Sequence, residues 1–97
     1  MRIVTFARIL DFTKKHPNAE TALRDWYFKT KKSEWENVTD MKNTFNSADY
    51  VGNSRFVFNI KGNTYRLVAI VIFASKKVYI RFIGTHTSYD GIDSKNI

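Results

Sequence analysis

Between Arg55 and His86 the chain is written for strands: β-branched and aromatic residues dominate, and turn signals fall at Gly62-Asn63 and near Ser75-Lys76. A two-residue turn at Gly62-Asn63, with Asn63 suited to positive φ, pairs Lys61 with Thr64, Asn59 with Arg66 and Val57 with Val68. A turn at Ser75-Lys76 pairs Phe73 with Val78, Ile70 with Arg81 and Arg66 with Thr85. Paired residues share a sheet face, so both registers are tested by the hydrophobic pattern. One face collects Phe56, Phe58, Ile60, Tyr65, Leu67, Ala69, Val71, Phe73, Val78, Ile80 and Phe82. The other collects Arg55, Asn59, Lys61, Arg66, Tyr79, Arg81 and Thr85, with Val57, Val68, Ile70, Ile72 and Ile83 between them. A slip of one residue in either hairpin carries arginines into the core, which specifies the register.

The first half changes period. Residues 2–4 read as a short strand, and Thr5 caps a helix whose Phe6, Ile9, Leu10 and Phe12 fall near one stripe. Lys14, Lys15 and His16 sit in its last turn, Pro17 stops it, and Asn18 caps a second helix with Glu20 in its first turn. There Ala19, Ala22, Leu23, Trp26, Tyr27 and Thr30 define a buried face, closed by Lys29, Lys31 and Lys32. A connection carrying Trp35 leads to a third helix at about Thr39–Asn46. The expected fold is α+β, with the long helices packed on one face of a mainly antiparallel three- to four-stranded sheet. The other face is cationic at its ends and apolar in its middle. Either the third helix or a partner protein is expected to cover that strip.

Ninety-seven residues make one domain, with 92–97 expected as a frayed tail. The absence of cysteine excludes disulfides, a Cys nucleophile and Cys-ligated zinc. The longest apolar run, Leu67–Ala74, is too short to span a membrane, and the N-terminal residues carry no secretory h-region, so a cytoplasmic protein is expected. Charge narrows the function further. The net charge is +7, and the excess is uneven. Residues 1–50 hold nine basic and seven acidic side chains, whereas Val51–Tyr89 holds six basic and none acidic. That field suits a polyanion, nucleic acid first, although basic surfaces also serve solubility alone.

The pairing gathers Asn59, Lys61, Thr64, Arg66, Thr85 and His86 at one end of the polar face, with Tyr89 and Asp90 just beyond. Metal-free RNA cleavage needs such a set: a base for the 2′-OH, fixed cations for the phosphorane oxygens and an acid for the 5′-oxygen. Histidine is the side-chain type suited to proton transfer at neutral pH, which singles out His86, and arginine's forked donor suits phosphate oxygens, which singles out Arg66 and Arg81. The catalytic candidates are therefore Arg66, His86, Arg81, Tyr89 and Lys61. Arg55, Asn59, Lys76, Lys77 and Asp90 are candidates for RNA contact. Each has a plainer alternative: Arg81 a salt bridge to an acidic partner, Lys61 an ordinary turn residue, His86 and Asp90 local capping, Tyr89 packing. No metal site is expected, since the Asp90 and Asp93 pair offers too few oxygen ligands and lies near cations.

The run Arg55–Val68, then Val78–His86 and Tyr89-Asp90, preceded by His16–Glu20 and Leu23–Tyr27, resembles the HigB toxins of bacterial type II toxin–antitoxin systems. The resemblance covers nearly the whole chain. It implies a RelE-like fold and an mRNA interferase that cuts mRNA on the ribosome without a metal or other cofactor. It also implies a HigA-type helix-turn-helix antitoxin, with operator DNA reached only through that partner. By motif position it points to Asn59, Arg66, Arg81, His86 and Tyr89. Rival readings are an RNA- or ribosome-binding domain acting by occupancy, a structural partner of a repressor, and a metal-dependent nuclease.

Overall fold

The computed structural model describes residues 1–97. The elements run β1 (Arg2–Ile3), α1 (Phe6–Lys15), a 3-10 turn (Pro17–Ala19), α2 (Glu20–Lys32), α3 (Val38–Thr44), β2 (Asp49–Gly52), β3 (Arg55–Ile60), β4 (Tyr65–Ile72), β5 (Lys77–Thr85) and α4 (His86–Asp90). The strands form one five-stranded sheet in the order β1-β5-β4-β3-β2, antiparallel except where β1 lies parallel to β5. This is the expected α+β fold with one strand more than expected. No helix is long and apolar enough to cross a membrane.

The β3–β4 hairpin has the expected register, with Asn59 opposite Arg66 and Val57 opposite Val68. Its turn differs in detail: the positive φ values fall on Lys61 (54°) and Gly62 (64°) rather than on Asn63. The β4–β5 hairpin departs from the expected register. Its connection is a four-residue turn, Phe73–Lys76, so Ile72 pairs with Lys77 and Ile70 with Tyr79. A bulge then leaves Arg81 without a cross-strand partner, between Ala69↔Ile80 and Val68↔Phe82. Beyond it the faces are exchanged relative to the expectation. Phe82 turns outward opposite Val68, Ile83 turns to the core opposite Leu67, and Thr85 lies beside Tyr65 rather than Arg66.

Edge chemistry accounts for the bulge. After Val4, β1 leaves the edge of β5, and Thr5 takes over. Its hydroxyl accepts from the Ile80 N–H at 2.6 Å and sits 3.3 Å from the Ile80 carbonyl. Arg8 donates to the Arg81 carbonyl at 3.2 Å. Thr5 therefore stands at the start of α1 without capping it. Gly84, opposite Arg66, lies under the Phe82 ring: a Cβ there would come within 2.4 Å of Phe82 Cζ.

The core lies between the helices and the inner sheet face. Leu23, Trp26 and Thr30 of α2, Ile9 of α1 and Met41 of α3 are all buried. Rings of Trp26, Phe45 and Phe58 meet at centroid distances of 5.4–6.4 Å. Trp35 is buried beside them and donates to Thr44 Oγ1 at 3.0 Å. Asn18 does not cap α2; its Oδ1 accepts from the Tyr65 hydroxyl at 2.5 Å, and the chain enters α2 through the Pro17–Ala19 turn. α3 starts at Asn37, whose side chain accepts from the Asp40 N–H.

Within the chain, α3 does not cover the outer face. Its central Val57 and Val68 are 3% and 0% exposed. α3 buries Met41 in the helix-side core. The cover comes from α4 and the segment after it, which crosses the outer face to reach Arg55 and the β2–β3 turn. The segment 92–97, expected to fray, is thus bonded to the sheet.

Candidate functional site

The site is organised around one cross-strand row, Asn59, Arg66 and Gly84, on the outer face of β3, β4 and β5. The Phe82 ring fills the space over Gly84, and beyond it lies the Arg66 guanidinium, against Tyr89. Arg66 Cζ sits 5.4 Å from the centre of the Tyr89 ring, a cation–π contact. Arg66 Nε is buried and has no hydrogen-bond acceptor within the chain. None of the molecule's ion pairs involves Arg66, Arg55 or Arg81.

α4 delivers the remaining groups. Thr85 caps it by accepting from the Ser88 N–H at 3.1 Å, which places His86 at the first helical position and Tyr89 and Asp90 one turn on. His86 Nδ1 lies 3.5 Å from Asp90 Oδ2, and both side chains are exposed. The Tyr89 hydroxyl lies 3.5 Å from Ser94 Oγ. Further along the face, Arg81 Nε donates to the main-chain oxygen of Ile97 at 3.3 Å, and Arg55 donates to the same atom from Nε at 3.3 Å and Nη2 at 2.8 Å.

The sheet thus brings Asn59, Arg66, Tyr89, His86 and Asp90 to one end, with Arg55 and Arg81 further along. Lys61 lies exposed in the β3–β4 turn at the same end, its backbone in the left-handed region. Lys76 and Lys77 do not belong with them. Lys77 begins β5 and Lys76 ends the turn before it, so the length of the strand puts about 30 Å between them and His86. Lys77 stands opposite Arg2, and Lys76 Nζ donates to the Trp35 carbonyl at 2.9 Å and lies 4.0 Å from Glu36. Thr85 also leaves the expected group, acting through the cap instead. Sequence reasoning missed the roles of Gly84, Phe82 and Thr5, and it missed α4, for which a Thr85 cap three residues before Ser88 was the available signal.

Chemically, the face presents three guanidinium groups, an imidazole paired with a carboxylate, and a phenol. It is an open surface. The concave depressions lie elsewhere: one of about 240 Å³ lined by Arg8, Asp11, Phe12, Lys15 and Ile83, and one of about 180 Å³ lined chiefly by Val38, Tyr50, Phe56, Val71 and Phe73. An open cationic face fits an extended polyanion better than a small enclosed ligand.

Comparison with known proteins agrees with this reading. Residues 19–92 match the family described as HigB toxin, the RelE-like toxic component of a toxin–antitoxin system. The chain is 34% identical over 93 residues to the mRNA interferase toxin HigB of Escherichia coli (strain K12), covering 93% of this chain and 88% of that relative. The mRNA interferase HigB of Shigella flexneri matches at the same identity and coverage. The mRNA interferase HigB of Escherichia coli O6:H1 (strain CFT073) is 27% identical over 92 residues, 93% of this chain and 89% of the relative. The site faces outward on a helix-backed sheet and the match spans most of its elements, so this chain belongs to the HigB family of RelE-like toxins, the toxic component of a toxin–antitoxin system.

Proposed function

We propose that this chain is an mRNA interferase that cuts translated mRNA on the ribosome, in the cytoplasm, by metal-independent attack of a 2′-OH on the adjacent phosphodiester. The observation that carries the reading is Arg66: a guanidinium pressed on Tyr89 with no anion or acceptor from its own chain, on a face where Arg55 and Arg81 also have no side-chain carboxylate partner. A phosphodiester supplies the charge and the acceptors together. Arg66 and Arg81 neutralise charge growing on the phosphorane oxygens, and Lys61 adds a cation at the strand end. His86 and Tyr89 carry the proton transfers, with Asp90 orienting the imidazole. Arg55 and Asn59 hold the RNA backbone. Lys76 and Lys77, at the far end of β5, are left to more distant contacts with ribosomal RNA. A HigA-type antitoxin silences the toxin by covering this face, and operator DNA is bound through that partner.

Mapping RNA 5′ ends after induction tests the reading. New 5′-hydroxyl ends within coding sequences, absent with Arg66→Ala and unaffected by EDTA in purified translation reactions, are the expected result. Growth arrest without new ends would replace cleavage by occupancy, and cleavage abolished by EDTA would restore a metal.

A further inference from the structure

Three N–H donors from two guanidinium groups converge on one oxygen, the main-chain oxygen of Ile97: Arg55 Nη2 at 2.8 Å, Arg55 Nε at 3.3 Å and Arg81 Nε at 3.3 Å. Two like charges are thereby focused on one oxygen, and no side-chain carboxylate forms an ion pair with either arginine. A backbone phosphate, with two anionic oxygens, makes charge-assisted bonds to both guanidinium groups in that position. The segment that supplies the oxygen is lightly held. Asn53 Nδ2 donates to the Lys95 carbonyl at 3.0 Å and to Asn96 Oδ1 at 3.2 Å, both exposed, and Asn96 Nδ2 bonds within the segment to Asp93 at 2.7 Å.

We propose that Arg55 and Arg81 form a phosphate subsite for the RNA backbone beside the Arg66–Tyr89 pair, and that residues 93–97 occupy it in the free protein and leave when RNA enters. This rests on the RNA-cleaving reading and adds a competition to it: the chain's own strap and a backbone phosphate contend for the same donors. Apparent RNA affinity is then reduced by the fraction of molecules in which the strap is closed. Asn53, outside the reacting groups, sets that fraction.

The test is an NMR titration of the 15N-labelled protein with a 2′-O-methyl RNA trinucleotide, which lacks the attacking hydroxyl. The amides of Lys95, Asn96 and Ile97 are expected to move to positions typical of free chain as the oligonucleotide saturates. Asn53→Gly removes the clasp and accommodates the backbone φ of 50° at that position. It is expected to tighten binding about three- to tenfold. Arg55→Gln is expected to weaken binding and to leave the three amides free before any ligand is added. Strap amides unmoved at saturation, or an affinity indifferent to Asn53→Gly, would overturn the subsite. If those failures came with intact mRNA cleavage by the wild-type protein, only the strap would be wrong. Strap release without any cleavage on ribosomes would support the subsite and overturn the nuclease reading instead.

Discussion

A guanidinium held over a phenol ring, as Arg66 is over Tyr89, loses water from one side and keeps its remaining donors aimed away from the ring. Replacing it by lysine keeps the charge and loses both the stacking plane and the fork, so Arg66→Lys should fall well short of restoring activity. Removing one transition-state donor of this kind costs about 10²–10³-fold in rate. His86→Ala should cost a comparable or larger factor, about 10²–10⁴-fold, if the imidazole transfers a proton. Single-turnover cleavage of ribosome-bound mRNA measures both. Arg66 was legible in the sequence because Gly62 fixes the β3–β4 register and an arginine flanked by Leu67 and Tyr65 must point away from the core. The distance of Lys76 and Lys77 from His86 was legible too, because the turn expected near Ser75-Lys76 sets them at the opposite end of β5. Lys77→Gln should leave cleavage of a short RNA unchanged.

The bulge in β5 shows how one element can be read correctly in kind and wrongly in phase. Alternation alone places Phe82 inside and Ile83 outside; the extra residue at Arg81 reverses both. Its cause lies about 75 residues away, in a threonine that looks like an ordinary helix cap. Thr5→Val keeps the shape and strands the Ile80 N–H, which should cost about 1–3 kcal/mol in urea unfolding. Thr5→Ser should retain most of that stability. Gly84→Ala drives a methyl into the Phe82 ring and should cost about 1–3 kcal/mol while disturbing the row that holds Arg66. β2 escaped notice for a different reason. Asp49 and Gly52 are poor strand formers, and the strand is held by pairing with β3, a turn with positive φ at Asn53 and Ser54, and the Tyr50–Phe56 ring contact at 5.0 Å.

Across the molecule, α1, α2 and α3 close one side of the sheet, and the other, crossed by α4 and the segment after it, carries the arginines. The strands β3, β4 and β5 bring no carboxylate to that side, while the acidic residues sit mainly on the helices, their connections and the C-terminal segment. RNA binding should therefore weaken steeply with salt, and removing one of Arg55, Arg66 or Arg81 should reduce the slope of log affinity against log salt by about 0.7. The cover over the outer face was not legible. Residues 92–97 have neither a periodic pattern nor a long apolar run, and their placement depends on carbonyl groups, which every sequence has. The most direct test of the whole account is the single-turnover rate of ribosomal mRNA cleavage by Arg66→Ala, measured beside its urea midpoint. A rate lowered by about 10²–10³-fold with the midpoint unchanged is the predicted result. A folded variant that cuts as fast as the wild type would contradict the assignment of the cutting site to this face.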